Sequence, residues 1–180
     1  LLHSIYKRNE VSFHFLFEQV YCKFLKIKEF AYETDGFGGN LLHLLACCGS
    51  VPMLKLALEK LKSELSHEDF HNFFKLKSIT NILHYATQND KELVEFLVNF
   101  IKKEVSSEVV KEMLSDVDSN KHVPLSYAIK PYRPEVFELL FPLHEQNFSF
   151  DELKIILTQR DDKNENIFTL MCEYDFMFSK

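Results

Sequence analysis

A three-residue phrase that returns five times at nearly constant spacing constrains this chain more than any other feature. Leu1-Leu2-His3, Leu41-Leu42-His43, Ile82-Leu83-His84, Pro124-Leu125-Ser126 and Ile167-Phe168-Thr169 have last residues 40, 41, 42 and 43 positions apart. Self-similarity at roughly 20–50 residues marks units that each bury a face against the next. Asn40, Asn81 and Asn166 stand directly before three of the phrases. An Asn side chain there can accept from the free amides of a first helical turn, so each phrase is expected to open a helix. Two residues after the phrase come Leu45, Ala86, Ala128 and Met171, followed by Ala46, Thr87, Ile129 and Cys172. That mostly narrow face lets helices pack closely.

The first helix is expected to stop six residues after the phrase, at Asn9, Gly49, Asp90 and Asp175. Gly49 can take the left-handed conformation that ends a helix, and Ser50 and Pro52 then supply a cap and a first-turn proline for the next. Second helices are read from apolar residues at helical spacing: Phe13, Phe17 and Val20; Met53, Leu54, Leu56, Ala57 and Leu58; Leu93, Val94, Phe96, Leu97 and Phe100; Val136, Phe137, Leu139, Leu140 and Phe141. A third element follows. Ser66, Ser106 and Ser149 lie 23, 22 and 23 residues after His43, His84 and Ser126. Each opens a run, 66–74, 106–114 and 149–157, with a Ser cap, an acid in the first turn and apolar residues on one side, which predicts a short amphipathic helix.

These residues resemble ankyrin repeats, whose consensus runs Asp-x-x-Gly-x-Thr-Pro-Leu-His-x-Ala-Ala-x-x-Gly. Asp35, Gly38, Leu42, His43, Ala46 and Gly49 fall on consensus positions in the second copy, and Asp118, Pro124, Leu125 and Ala128 do so in the fourth. The period exceeds the ankyrin length of about 33 by about eight residues, which the third helix accounts for. Three helices in a unit of this size also describe armadillo repeats, but the His phrase and the Asp-Gly segment favour ankyrin. The resulting expectation is an all-α solenoid of ankyrin-like helix-turn-helix units, each with an extra short helix and hairpin-like loops. It forms one array over 1–180, with units near 1–34, 35–76, 77–117 and 118–160 and a partial unit at 161–180.

The resemblance implies a function in binding another protein, without catalysis. Hairpin tips at Phe37, Ser78, Lys121 and Lys163, together with the outward face of the first helices, would line a concave groove. Leu44, Tyr85 and Tyr127, directly after the phrase, and Cys47, Gln88 and Lys130, three further on, are the positions expected to face it. Aromatic side chains make strong anchors when a partner desolvates them. The competing reading of Tyr85 and Tyr127 is packing between adjacent helices. A third possibility is a spacer that sets the distance between domains and uses no groove. By family likeness, His43 and His84 would hydrogen-bond loop backbone and hold the helix start against its neighbour, and His3 belongs with them.

Composition bounds the setting. Only four Gly and five Pro argue against many short strands. The apolar runs are interrupted well before the roughly 20 residues of a membrane span, so no membrane insertion is expected. A net charge of −6 disfavours a phosphate-backbone binder, so nucleic acid is not an expected partner. Cys22, Cys47, Cys48 and Cys172 contain no Cys-x-x-Cys pair and no disulfide spacing, which fits a reducing, intracellular and cytoplasmic location. The chain begins without Met, lacks a secretory pattern and reads as a fragment. Eighteen Phe and 18 Lys against 3 Arg fit the AT-rich coding of a virus or an intracellular bacterium, and hence a host-directed protein in host cytoplasm.

One motif points to chemistry. His67-Glu68-Asp69-Phe70-His71 is a literal His-Glu-x-x-His, which on a helix places two imidazoles on one face to hold zinc, with the Glu as general base. This makes a zinc-dependent hydrolase the rival function. Yet Glu68 matches Glu108 and Asp151 as a first-turn acid, and His71 matches Lys111 and Lys154 on a polar face. A third ligand would have to come from an acid such as Glu92. Cys47 and Cys48 lack a local cation that would activate a thiol. The stretch 161–166 opens like a calcium loop but lacks its Gly and distant bidentate Glu. No cofactor, metal or small-molecule substrate is expected.

Overall fold

A computed structural model describes residues 1–21, 23, 34, 38–48, 50–75, 80–130 and 132–173. Among these the chain is all-helical and has no strand. Helix α1 (Leu2–Tyr6) is followed by α2 (Glu10–Phe15), which runs into a π-helical segment at Leu16–Tyr21 that nothing in the residue pattern foreshadows. Three trios follow: α3 (Leu41–Cys48), α4 (Val51–Glu64) and α5 (His67–Lys75); α6 (Ile82–Ala86), α7 (Lys91–Glu104) and α8 (Ser107–Ser115); α9 (Ser126–Ile129), α10 (Pro134–Asn147) and α11 (Phe150–Thr158). Helix α12 (Ile167–Glu173) starts at the fifth phrase. The middle helices are all 14 residues long and the last helices all nine, as a repeated sequence requires.

The Asn residues before the phrases cap as expected. Asn40 Oδ1 accepts from the amides of Leu42 (3.0 Å) and His43 (3.2 Å), Asn81 Oδ1 from Leu83 (2.9 Å), and Asn166 Oδ1 from Thr169 (3.0 Å). Two expectations need correction. Asn9 and Asp90 are not where first helices stop but where second helices begin, because α1 and α6 end earlier, at Tyr6 and Ala86. Ser50 occupies the N-cap position of α4 without capping it; its hydroxyl is diverted to Glu10 Oε1, 2.6 Å away. The predicted helix stops at Gly49 and Asp175 lie outside the described residues.

Burial follows the helical period in each middle helix. Met53, Leu54, Ala57, Leu58 and Leu61 are buried on α4, Leu93, Val94, Leu97, Val98 and Ile101 on α7, and Val136, Phe137, Leu140 and Leu143 on α10. Leu56, Phe96 and Leu139, at equivalent positions, are half-buried against this core. Their counterpart Phe15 on α2 is exposed.

Packing runs from each trio to its neighbours. Helix α2 packs on α4, α4 on α7, and α7 on α10; α1 packs on α3 and α3 on α6; α5 packs on α8. The turns between first and second helices are laced together as well. The Arg8 guanidinium donates to Cys48 O (3.3 Å), Asn89 Oδ1 (2.8 Å) and Asp90 Oδ2 (2.9 Å), while Asn89 Nδ2 donates to Ala46 O (3.0 Å) and Cys47 O (3.1 Å). One trio onward, Arg133 donates to the carbonyls of Thr87 and Asn89. The orphan carbonyls at the ends of α3 and α6 thus find donors in adjacent units.

Two predictions follow from this packing. Leu97→Ala, in the middle of the α4–α7–α10 row, is expected to cost about 3 kcal/mol in urea unfolding. Ser149→Ala should cost about 1 kcal/mol, because Ser149 and Glu152 form a reciprocal capping box, whereas Ser106→Ala should cost only a few tenths, because Ser106 makes no side-chain cap bond.

Candidate functional site

The first helices and the loops before them carry the residues singled out for binding. Two of these loops have the same backbone plan. Asp118 N–H donates to His122 O (3.0 Å) and Lys121 N–H to Asp118 O (3.0 Å); Asp161 N–H donates to Glu165 O (2.8 Å) and Asn164 N–H to Asp161 O (3.0 Å). Each aspartate then accepts two amides of its own loop on Oδ1. Asn120 and His122 donate to Asp118, both at 2.8 Å, and Lys163 and Glu165 to Asp161, both at 2.9 Å. An aspartate opening such a turn satisfies amides that the lack of a strand partner leaves free. Three residues after the aspartate the chain must turn through the left-handed region, with φ of 63° at Lys121 and 65° at Asn164. Gly38, three after Asp35, shows 80° there, and a residue without Cβ adopts this at no steric cost.

The loops are joined to what lies behind them. The His84 imidazole donates from Nε2 to His122 O at 2.9 Å, so one unit's phrase histidine holds the next unit's loop. His43 is buried with Nδ1 2.7 Å from Asn40 Oδ1, at its own helix start. His3, grouped with them by sequence, is exposed. Tyr127 donates to Asp118 Oδ2 at 2.5 Å, and burial, reinforced by that carboxylate, pushes the phenol well above its ordinary range.

Between the fourth loop and the fifth lies a charged cluster. His122 Nε2 is 2.7 Å from Asp161 Oδ2 and 2.7 Å from Lys130 Nζ, and Lys130 lies 3.5 Å from Asp161 and 4.0 Å from Glu165. Burial alone would raise the Asp161 carboxyl, but the amides of Glu165 and Lys163 and the His122 ring outweigh it and bring it to about 2. Glu173 beside Glu165 raises the latter's carboxyl above the ordinary glutamate range.

The sequence-derived positions separate into groups. Leu44 is only 7% exposed and belongs to the core, because the narrow face of the first helices brings neighbouring helices over it; this corrects its expected place on an open face. Cys47 and Gln88 are exposed. Tyr85 is half-buried, edge-on to His43, and Tyr127 is half-buried, edge-on to His84, so both rings bridge units and keep one side open. Lys130 is half-buried in the charged cluster. Lys121 and Lys163 are exposed at loop tips, and Lys121 pairs with Asp162 Oδ1 at 2.8 Å. Phe37 and Ser78 lie outside the described residues. The loss of solvation at the Cys47 thiolate, with Cys48 alongside, pushes that thiol up to about 11, away from the range of a nucleophile.

His67, Glu68 and His71 do fall on one helix, α5. The two imidazole rings lie 4.0 Å apart, and His71 Nε2 is engaged with Glu104 O at 3.1 Å, at the end of α7. Among the described residues no three His, Cys, Asp or Glu side chains converge to hold a metal ion. Likewise among the described residues, no helix is long and apolar enough to cross a membrane. Sequence reasoning missed the role of Arg8, Asn89 and Arg133 in lacing the turns, since none belongs to the repeated phrase. It also missed His122, whose only signal was its position between a loop aspartate and a phrase.

No protein-family model matches the chain, and comparison with curated proteins finds no significant match.

Asp118→Ala removes the acceptor of two loop amides and of the Tyr127 hydroxyl, and is expected to cost about 2–4 kcal/mol in thermal or denaturant unfolding. Asp162→Ala, which breaks only an exposed pair, should shift stability by less than about 0.5 kcal/mol.

Proposed function

We propose that this chain is an ankyrin-like solenoid, lengthened by a third helix per unit, that serves as a non-catalytic module for binding another protein. The observation that carries the reading is the order of contacts. Each helix that packs substantially on another unit packs on an adjacent one, from α1, α2 and the π-helix through the three trios to α12. A body built in this order presents the same face again with every unit.

The likeness to ankyrin repeats is supported by the phrase histidine on the next loop, the aspartate-opened loops and their left-handed fourth residue. The binding face in this reading runs along the first helices and loop tips. Cys47 and Gln88 are its exposed positions, Tyr85 and Tyr127 are partly open aromatic anchors, and Lys121 and Lys163 stand at the tips. Aromatic rings already held by neighbouring histidines lose little freedom on binding, which favours affinity. The partner is a protein, met in a reducing, intracellular setting.

The test pairs Cys47→Arg with Gln88→Arg, two exposed changes that leave the aspartate loops intact. Cross-linking capture with the parent chain and with the double variant is compared at equal helicity and equal thermal midpoint. Partners recovered by the parent are expected to drop at least tenfold with the variant. A partner set unchanged in identity and yield would contradict a binding role for this face and favour the spacer.

A further inference from the structure

The joint between α6–α8 and α9–α11 differs from the one before it. At the earlier joint all three like pairs pack: α3 on α6, α4 on α7 and α5 on α8. At the later joint α7 packs on α10 and α8 reaches α10, but no comparable packing joins α6 to α9 or α8 to α11. Helix α9 is only four residues long, and Pro142 inside α10 removes one backbone donor from that helix, leaving the Glu138 carbonyl without its helical bond.

Two histidines with 0% exposure lie on either side of this joint. His84, on α6, donates to His122 O in the next unit's loop, and its Nδ1 has no hydrogen-bond partner. His144, in the last turn of α10, donates from Nδ1 to Leu140 O at 3.0 Å. Its Nε2 has no hydrogen-bond partner, and the backbone of Leu114 at the end of α8 adjoins the ring. The earlier joint holds one such buried histidine, His43, behind full packing.

We propose that the joint between the α6–α8 and α9–α11 units is an acid-triggered hinge, opened when His84 and His144 take up protons. Burial holds both imidazoles below the ordinary histidine range, so each is neutral while the joint is closed. For His84 the carboxylates of Asp116 and Asp118 oppose that effect, and the His122 ring adds to it; Tyr127 lies edge-on. Around His144 the charged groups are engaged elsewhere. The Phe148 ring stacks on His144, and Lys111 on α8, 5.2 Å over that ring, pairs with Glu152 on α11. Among the described residues no carboxylate is placed to receive an imidazolium at His144.

The sign follows from linkage. An open joint returns each histidine to water, where it binds a proton at an ordinary pH, while the closed joint does not. The closed form is therefore fully favoured above the ordinary histidine range and loses ground as pH falls through it, by up to tenfold per histidine per pH unit. A joint that leans on α10 alone, with its first and third helices not packed on their counterparts, is where that loss is felt first.

Hydrogen exchange of the full chain, compared at pH 7.5 and pH 5.0 after correction for intrinsic rates, tests this. Amides of α8 and α10 should lose at least tenfold more protection at pH 5.0 than those of α3 and α4, and His144→Leu combined with His84→Asn should abolish at least most of the difference. Should the variant fold poorly, the imidazole resonances of the parent give an independent answer: both must titrate below the ordinary histidine range. Equal loss of protection in every unit, no loss at all, or ordinary titration of both rings would overturn the hinge.

Discussion

The structure depends on the burial of one apolar stripe per unit against the same stripe of the next. Met53, Leu54, Ala57 and Leu58 on α4, Leu93, Val94 and Leu97 on α7, and Val136, Phe137 and Leu140 on α10 form a continuous row in which no helix has a closed core of its own. At about 25 cal/mol per Å² of apolar surface removed from water, no single 14-residue helix repays its ordering cost; the row does so collectively. First helices, loops and third helices are held in place because the row holds the helices they flank. Phe15 shows the other side of this rule: 62% exposed at the start of the row, it occupies the position that is half-buried in every later unit.

The element plan was legible because it is written in short-range chemistry. Asn before a phrase, Ser before an acid and an apolar period of 3.6 each have a local physical meaning, and the nine-residue third helices begin at or next to the predicted serines. The turns were less legible. Arg8 and Arg133 act on carbonyls 40 and 44 residues away, and spacing along a chain does not reveal such reach. Leu44 was misplaced because consensus spacing gives a helix face but not how closely the neighbouring helix approaches it. The π-helical turn at Leu16–Tyr21 has no residue signal at all.

The polar groups of the interior share one arrangement. Loop aspartates satisfy loop amides, a phrase histidine satisfies a loop carbonyl one unit on, and arginines satisfy helix-end carbonyls. Each joint is thus sealed by hydrogen bonds that a water-filled gap would otherwise compete for. Using titratable side chains as seals makes closure depend on their charge. The exposed remainder of the first helices and loops is then the surface on which one unit differs from another, through Cys47 and Gln88 at equivalent positions.

The central claim is that each unit's helices are held by packing on those of its neighbours, and removing one whole unit tests it most directly. Deleting residues 82–123 joins Asn81 to Pro124 in phase with the repeat. The account predicts a helical protein that unfolds cooperatively at reduced stability, with α4 now sealed by α10. An out-of-phase deletion such as 82–111 should leave an unfolded chain. If the in-phase deletion were equally unfolded, the molecule would be a single interdependent body and the modular account would be wrong.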